Sequence, residues 1–111
     1  MKSAAKKKPK KKACLTIDLI EGMKPQPEEL HASRSTPDRV RFYNRTGRGR
    51  TVTFALWPFS EPPTPIMMKK HKPSPCFTVE TTQPLGGYSY EVAPALDPGG
   101  PPGDPDVTID P

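Results

Sequence analysis

Apolar and polar positions alternate along this chain with a period of two. Leu15, Ile17 and Leu19 alternate with Thr16 and Asp18, and Val40 and Phe42 with Arg39, Arg41 and Tyr43. The same pattern returns at Val52 and Phe54, at Phe77 and Val79, at Tyr88, Tyr90 and Val92, and at Val107 and Ile109. Period two is the spacing of one face of a β-strand. It predicts six short strands, over 15–20, 39–43, 51–54, 77–80, 88–92 and 107–110, each with one face to bury. The intervening stretches "RTGRGR", "WPFSEPPTP", "KPSP", "QPLGG" and "DPGGPPGDPD" carry turn chemistry. Helix is nearly excluded; the one tolerant window, "PQPEELHAS", predicts a single turn at Glu28 to His31. Residues 57–75 read as a long, proline-crowded connection crossing an edge or end of the fold.

Six strands in one sheet would leave an apolar face in water, so the pattern predicts two packed sheets: an all-β, Greek-key antiparallel sandwich. The chain has 111 residues, enough for one domain. Seven Lys fall within the first twelve residues, "MKSAAKKKPKKK". Such a run cannot bury apolar area, and it predicts a disordered basic tail over 1–12 ahead of a sandwich domain over 13–111. Setting the tail aside leaves ten basic against twelve acidic side chains, a net charge of −2. The basic character of the whole chain therefore belongs to its tail. There is no apolar run of membrane-spanning length and no secretory h-region, so a cytoplasmic location is expected. Two cysteines, Cys14 and Cys76, are too few for a disulfide framework, and reduced thiols are expected.

Two stretches resemble the cupredoxins, the plastocyanin-like family of blue-copper sandwiches. In "VRFYNRTGRGRTVTF", residues 40–54, a strand ends in an apolar-x-Asn step at Asn44, a glycine-containing loop follows, and a new strand opens. The family places a copper-ligating His at that opening; here the position holds Arg50. In "GGYSYEVAPALDPGGPPGDPDVTI", residues 86–109, Gly86, Tyr88 and Tyr90 match the family's Gly-x-Tyr-x-aromatic-x-Cys run, but the Cys position holds Val92. The second His position falls at Ala95, and the axial Met position within 100–102. The resemblance implies a cupredoxin-like sandwich, with Tyr88 placed to tie its strand to upstream backbone in a tyrosine corner. A type I copper site needs a thiolate, two imidazoles and a weak axial donor. None of these positions supplies one, and a guanidinium stays protonated. The resemblance thus implies no copper cofactor and no blue-copper electron transfer.

The remaining features offer candidates of lower specificity. Arg45, Arg48 and Arg50 on the first loop and Asp97, Asp104 and Asp106 on the last are brought to one end by the fold the resemblance implies. They read foremost as a structural tie or solvated loops, and less readily as an anion-binding site. "MMKKHKPSPC" gathers Met67, Met68, His71 and Cys76, a set of soft donors without a known ligand spacing. Trp57 and Phe59 flank Pro58 and read as a cap on the core. The tail residues Lys6, Lys7, Lys8, Lys10, Lys11 and Lys12, with Arg45, Arg48 and Arg50, are the candidate polyanion-binding residues. No nucleophile triad, phosphate-cradling loop or zinc spacing appears, so no catalytic residue is assigned. The sequence therefore reads first as a non-catalytic, copper-free binding or structural module whose Lys tail attracts a polyanion or protein partner. Two other readings stand beside it: non-specific nucleic-acid association through the tail, and metal handling through the Met/His/Cys stretch.

Overall fold

Each alternating run forms a strand with its apolar residues turned inward. The computed structural model describes residues 14–96 and 105–111 and holds eight strands. They are β1 (Cys14–Leu19), β2 (Glu29–Ser33), β3 (Arg39–Asn44), β4 (Arg50–Phe54), β5 (Ile66–Met68), β6 (Phe77–Thr78), β7 (Gly86–Ala93) and β8 (Asp106–Asp110). One sheet has the order β1-β3-β6 and the other β2-β8-β7-β4-β5. Ile17, Leu19, Val40 and Phe42 from the first sheet and Val52, Tyr90, Val107 and Ile109 from the second fill the space between them, each at most 1% exposed. The predicted disorder of 1–12 lies outside the described residues.

The two additional strands have plain causes. The helical turn expected at Glu28 to His31 is instead β2, in which Leu30 and Ala32 point inward and Glu29 and His31 outward. Pairing with β8 outweighs a weak helical preference in a segment too short to nucleate a helix. The long connection contains β5, three residues that add to β4 with Ile66 and Met68 inward and Met67 out. Two pairings, β1 with β3 and β2 with β8, are parallel, and the other four are antiparallel. The chain passes from β1 into β2 on the other sheet before returning as β3, and a crossover of that kind delivers parallel neighbours where a hairpin cannot.

The expectation of reduced thiols is overturned. Cys14, at the start of β1, is disulfide-bonded to Cys76, just before β6, with their Cα atoms 6.1 Å apart across 62 residues of sequence. The sequence gives no hint of this proximity, because the fold creates it by placing β1 and β6 on either side of β3.

An aromatic chain runs through the core. Phe42 meets Tyr90 edge-on at 5.0 Å, and Phe54 meets Phe59 at 5.4 Å and Trp57 at 5.9 Å. Trp57 also packs on Phe77, while its indole Nε1–H donates to the Glu61 carbonyl at 2.6 Å. The "WPF" segment therefore closes this side of the core, as its sequence suggests. At the start of β7, Gly86 has φ +126°, a conformation suited to glycine. Two residues on, Tyr88 Oη donates to the Pro84 carbonyl at 2.7 Å, the expected tie to upstream backbone.

Candidate functional site

The site is built where β3 ends and β4 begins. The loop 45–49 carries the chain from the three-stranded to the five-stranded sheet. Its anchor is Asn44, which is fully buried because the inward alternation of β3 continues to its last residue. A buried amide needs partners, and Asn44 has them on both sides. Its Nδ2 donates to the carbonyls of Arg48 at 2.8 Å and Lys69 at 3.1 Å. Its Oδ1 accepts from the Thr46 amide at 3.0 Å and the Thr46 hydroxyl at 2.6 Å. One side chain thus shapes the loop and pins it to the end of β5.

Thr46 passes the network on to Arg50. The Arg50 side chain is 1% exposed. It opens β4 on the inward face, one alternation from Val52. Its Nε donates to Thr46 Oγ1 at 3.0 Å, and its Nη1 donates to the carbonyls of Pro94 at 2.7 Å and Ala95 at 3.2 Å. Its Nη2 donates to the carboxylate of Glu21, which lies in the β1–β2 connection and faces solvent. One guanidinium therefore joins three connections that are remote in sequence. Two more bonds close the same end: the Gly22 amide to the Leu96 carbonyl at 2.8 Å, and the Arg45 amide to the Leu19 carbonyl at 3.0 Å. A planar fork with five donors suits this task.

The positions singled out in the sequence fall as follows. Val52 pairs with Val92 in the β4–β7 register, so Val92 projects from the same sheet face as Arg50 and packs, partly buried, against the core. Ala95 meets Arg50 through its carbonyl. These three positions share one end of the sandwich. Residues 97–104, which include the axial position, Asp97 and Asp104, lie outside the described residues. Asp106 belongs to β8. The tie to Arg50 comes from Glu21, which the sequence reading passed over because an isolated acidic loop residue carries no local signal.

The candidate anion-binding arginines separate. Arg50 is buried, with four acceptors around its guanidinium, and so is not presented to an external anion. Arg45 is half exposed; its Nε donates to Asp18 Oδ1 at 2.7 Å, and its guanidinium lies over the Tyr43 ring at 4.2 Å. Arg48 is exposed, with its carbonyl taken by Asn44. Lys6, Lys7, Lys8, Lys10, Lys11 and Lys12 lie outside the described residues. The soft-donor stretch does not converge. Met68 is in the core, Met67 faces solvent from the opposite side of β5, and the Cys76 sulfur is committed to the disulfide. Among the described residues, no three His, Cys, Asp or Glu side chains are grouped to hold a metal ion.

Two titrating groups stand out elsewhere. His31, on the edge strand β2, places Nδ1 3.0 Å from Asp110 and Nε2 3.0 Å from Glu29. The hydrogen bond to Asp110, aided by both carboxylate charges, raises its pKa above the usual 6.5. Burial raises the Tyr90 phenol well above its usual value, with Asp106 and Glu28 adding to the effect, and its hydroxyl has no hydrogen-bond partner among the described residues.

No protein-family model matches the sequence, and no curated protein matches it. Solved structures do. A Cu(I) form of a Met-to-Ala variant of amicyanin superposes with a TM-score of 0.64 and 22% identity, over 92% of this chain and 87% of that one. The reduced Cu(I) form at pH 4 of a Pro-to-Gly amicyanin variant gives a TM-score of 0.63 and 24% identity over the same shares. A second Met-to-Ala variant, also Cu(I), gives 0.63 and 23% over 87% and 82%. At this identity the likeness is one of fold: the chain has a cupredoxin-like fold. The residues at this end of the sandwich do not fit a type I copper ion, because the Arg50 and Val92 side chains offer no metal donor and Ala95 only a carbonyl that Arg50 occupies.

Proposed function

From the cupredoxin-like fold, we propose that this protein is a non-catalytic, copper-free binding or structural module, in which a buried guanidinium holds together the loops that a metal would otherwise cross-link. The observation that carries this reading is Arg50, whose side chain sits buried where the resemblance places a ligand and bonds to Thr46, Pro94, Ala95 and Glu21. A fixed positive charge in that seat repels a cation as well as failing to ligate it. Titration of the full chain with Cu(II) and Cu(I), followed by calorimetry and visible absorption, tests the reading. No saturable binding is expected. Tight binding lost on His71→Ala would overturn it and restore a metal-handling role.

The working half of the module in this reading is electrostatic. The Lys-rich segment attracts a polyanion, and the sandwich carries and orients it. Loss of polyanion capture on deleting residues 1–12 is the expected result of comparing the two chains. The Cys14–Cys76 disulfide supports a working location in an oxidising compartment over the cytoplasm expected from the sequence. No helix among the described residues is long and apolar enough to cross a membrane.

A further inference from the structure

The net charge of the body conceals a segregation that the topology creates. On the three-stranded sheet, Val40, Phe42 and Asn44 point inward, so Arg39, Arg41 and Tyr43 point outward. Thr16 and Asp18 of β1 lie beside Arg41 and Tyr43 in the parallel register. Arg41 Nε donates to Thr16 Oγ1 at 3.0 Å, which ties that guanidinium to the outer side of β1. Arg45 continues the row past the strand end, half exposed, stacked on Tyr43 and paired through Nε with Asp18, the one acidic side chain among the outward positions of β1 and β3. The exposed Lys72 lies alongside, its backbone carbonyl accepting from the Asn44 amide at 2.9 Å. On the opposite, five-stranded sheet the outward positions include Glu29, Glu91, Asp106 and Asp110. One broad face is therefore basic and the other acidic.

We infer that the outer face of β3, centred on Arg39, Arg41 and Arg45, is a docking surface for a linear anionic polysaccharide bearing sulfate or carboxylate groups. This rests on the proposed polyanion-binding role and places its folded half on the outer side of the three-stranded sheet rather than on Arg50, which is buried. Successive outward side chains on a strand lie about 7 Å apart, so the row presents a line of charge to an extended polymer. Forked guanidinium donors match sulfate and carboxylate oxygens. The face lacks what the other polyanions would use. Among the described residues its outward positions on β1 and β3 carry a single aromatic ring, Tyr43, and Arg45 covers one side of it, so the row offers no series of rings for base stacking. The large exposed apolar side chains, Met23, Leu56, Met67 and Leu85, lie on other surfaces, so the row offers nothing to insert into a lipid layer. The disulfide also favours an oxidising compartment over one rich in nucleic acid.

The test uses the full chain and heparin as the sulfated probe, with polygalacturonate as the carboxylated one. A thymidine 20-mer and phosphatidylserine-containing vesicles are the competing classes. The proposal expects Arg39→Gln/Arg41→Gln/Arg45→Gln to weaken heparin binding at least about tenfold and to flatten its salt dependence, with unchanged circular dichroism. Arg45→Gln, at a half-exposed side chain, gives a smaller loss in the same direction and serves if the triple variant does not fold. If deleting residues 1–12 removes all binding and the β3 variants change nothing, this proposal falls while the tail-based reading stands. If no polyanion binds at all, both fall. Tighter binding to the thymidine oligomer or to vesicles than to either polysaccharide also overturns the assignment.

Discussion

Arg50 is where one residue has the largest consequence. Its guanidinium satisfies two carbonyls and a hydroxyl and pairs with a carboxylate. Arg50→Ala removes all four contacts and leaves a void at the start of β4. The expected cost is about 2–4 kcal/mol, seen as a lower urea midpoint at constant m. Arg50→Lys keeps the charge, but a single ammonium cannot reproduce a planar fork spread over four acceptors, so it recovers less than half of that loss. A change below about 0.5 kcal/mol in the Ala variant would show that the loops hold together without the latch. The two inward tyrosines of β7 make a sharper comparison, because they differ in hydroxyl pairing. Tyr88→Phe loses the bond to Pro84 and is expected to cost about 1 kcal/mol. Tyr90→Phe removes a buried hydroxyl without a described partner, and is expected to be neutral or slightly stabilising in the same urea series.

At the scale of elements, the edge strand β2 carries a pH-dependent contact. His31 bridges Glu29 on its own strand and Asp110 on β8. Its folded-state pKa is raised above 6.5, so this contact's contribution is fully present below pH 6.5 and is lost as pH rises through the folded value. An NMR titration should place the His31 midpoint above 6.5, and His31→Gln should flatten the stability–pH profile on its alkaline shoulder. A midpoint at or below 6.5 would sink this account. The same strand shows why parts of the fold were not legible in the sequence. The six alternating runs found their places because each brings at least two large apolar side chains to the core, although the run at 77–80 forms only the two-residue strand β6. β2 offers one, Leu30, beside the small Ala32, and β5 is three residues among prolines. Both exist because a neighbouring strand supplies hydrogen bonds, a cause lying 77 residues away for β2 and its partner β8. At the candidate site the position of Arg50 was legible through the loop–strand resemblance. Its partners were not, because Glu21, Pro94 and Ala95 meet it only once β1, β4 and β7 are packed.

At the scale of the whole molecule, sheet pairing is long-range, and the disulfide decides how costly it is to assemble. β1 and β3 pair across a crossover, β3 and β6 pair across the segments that build β4 and β5 of the other sheet, and all three strands lie in or beside the loop closed by Cys14 and Cys76. Closing a loop of this length in the unfolded chain lowers its entropy by an amount worth about 4 kcal/mol in the chain-entropy model. Native proteins commonly realise about 2–4 of that. Cys14→Ser/Cys76→Ser is expected to lose a stability in this range. Because the bond acts on the unfolded ensemble, the loss should fall mainly on the folding rate. The single tryptophan, Trp57, packed among Phe54, Phe59 and Phe77, reports both limbs of the chevron by fluorescence. Slower refolding with a nearly unchanged unfolding limb places the three-stranded sheet on the near side of the barrier. A change confined to the unfolding limb would mean that this sheet closes last, and that the Arg50 end, rather than the disulfide, organises the assembly of the sandwich.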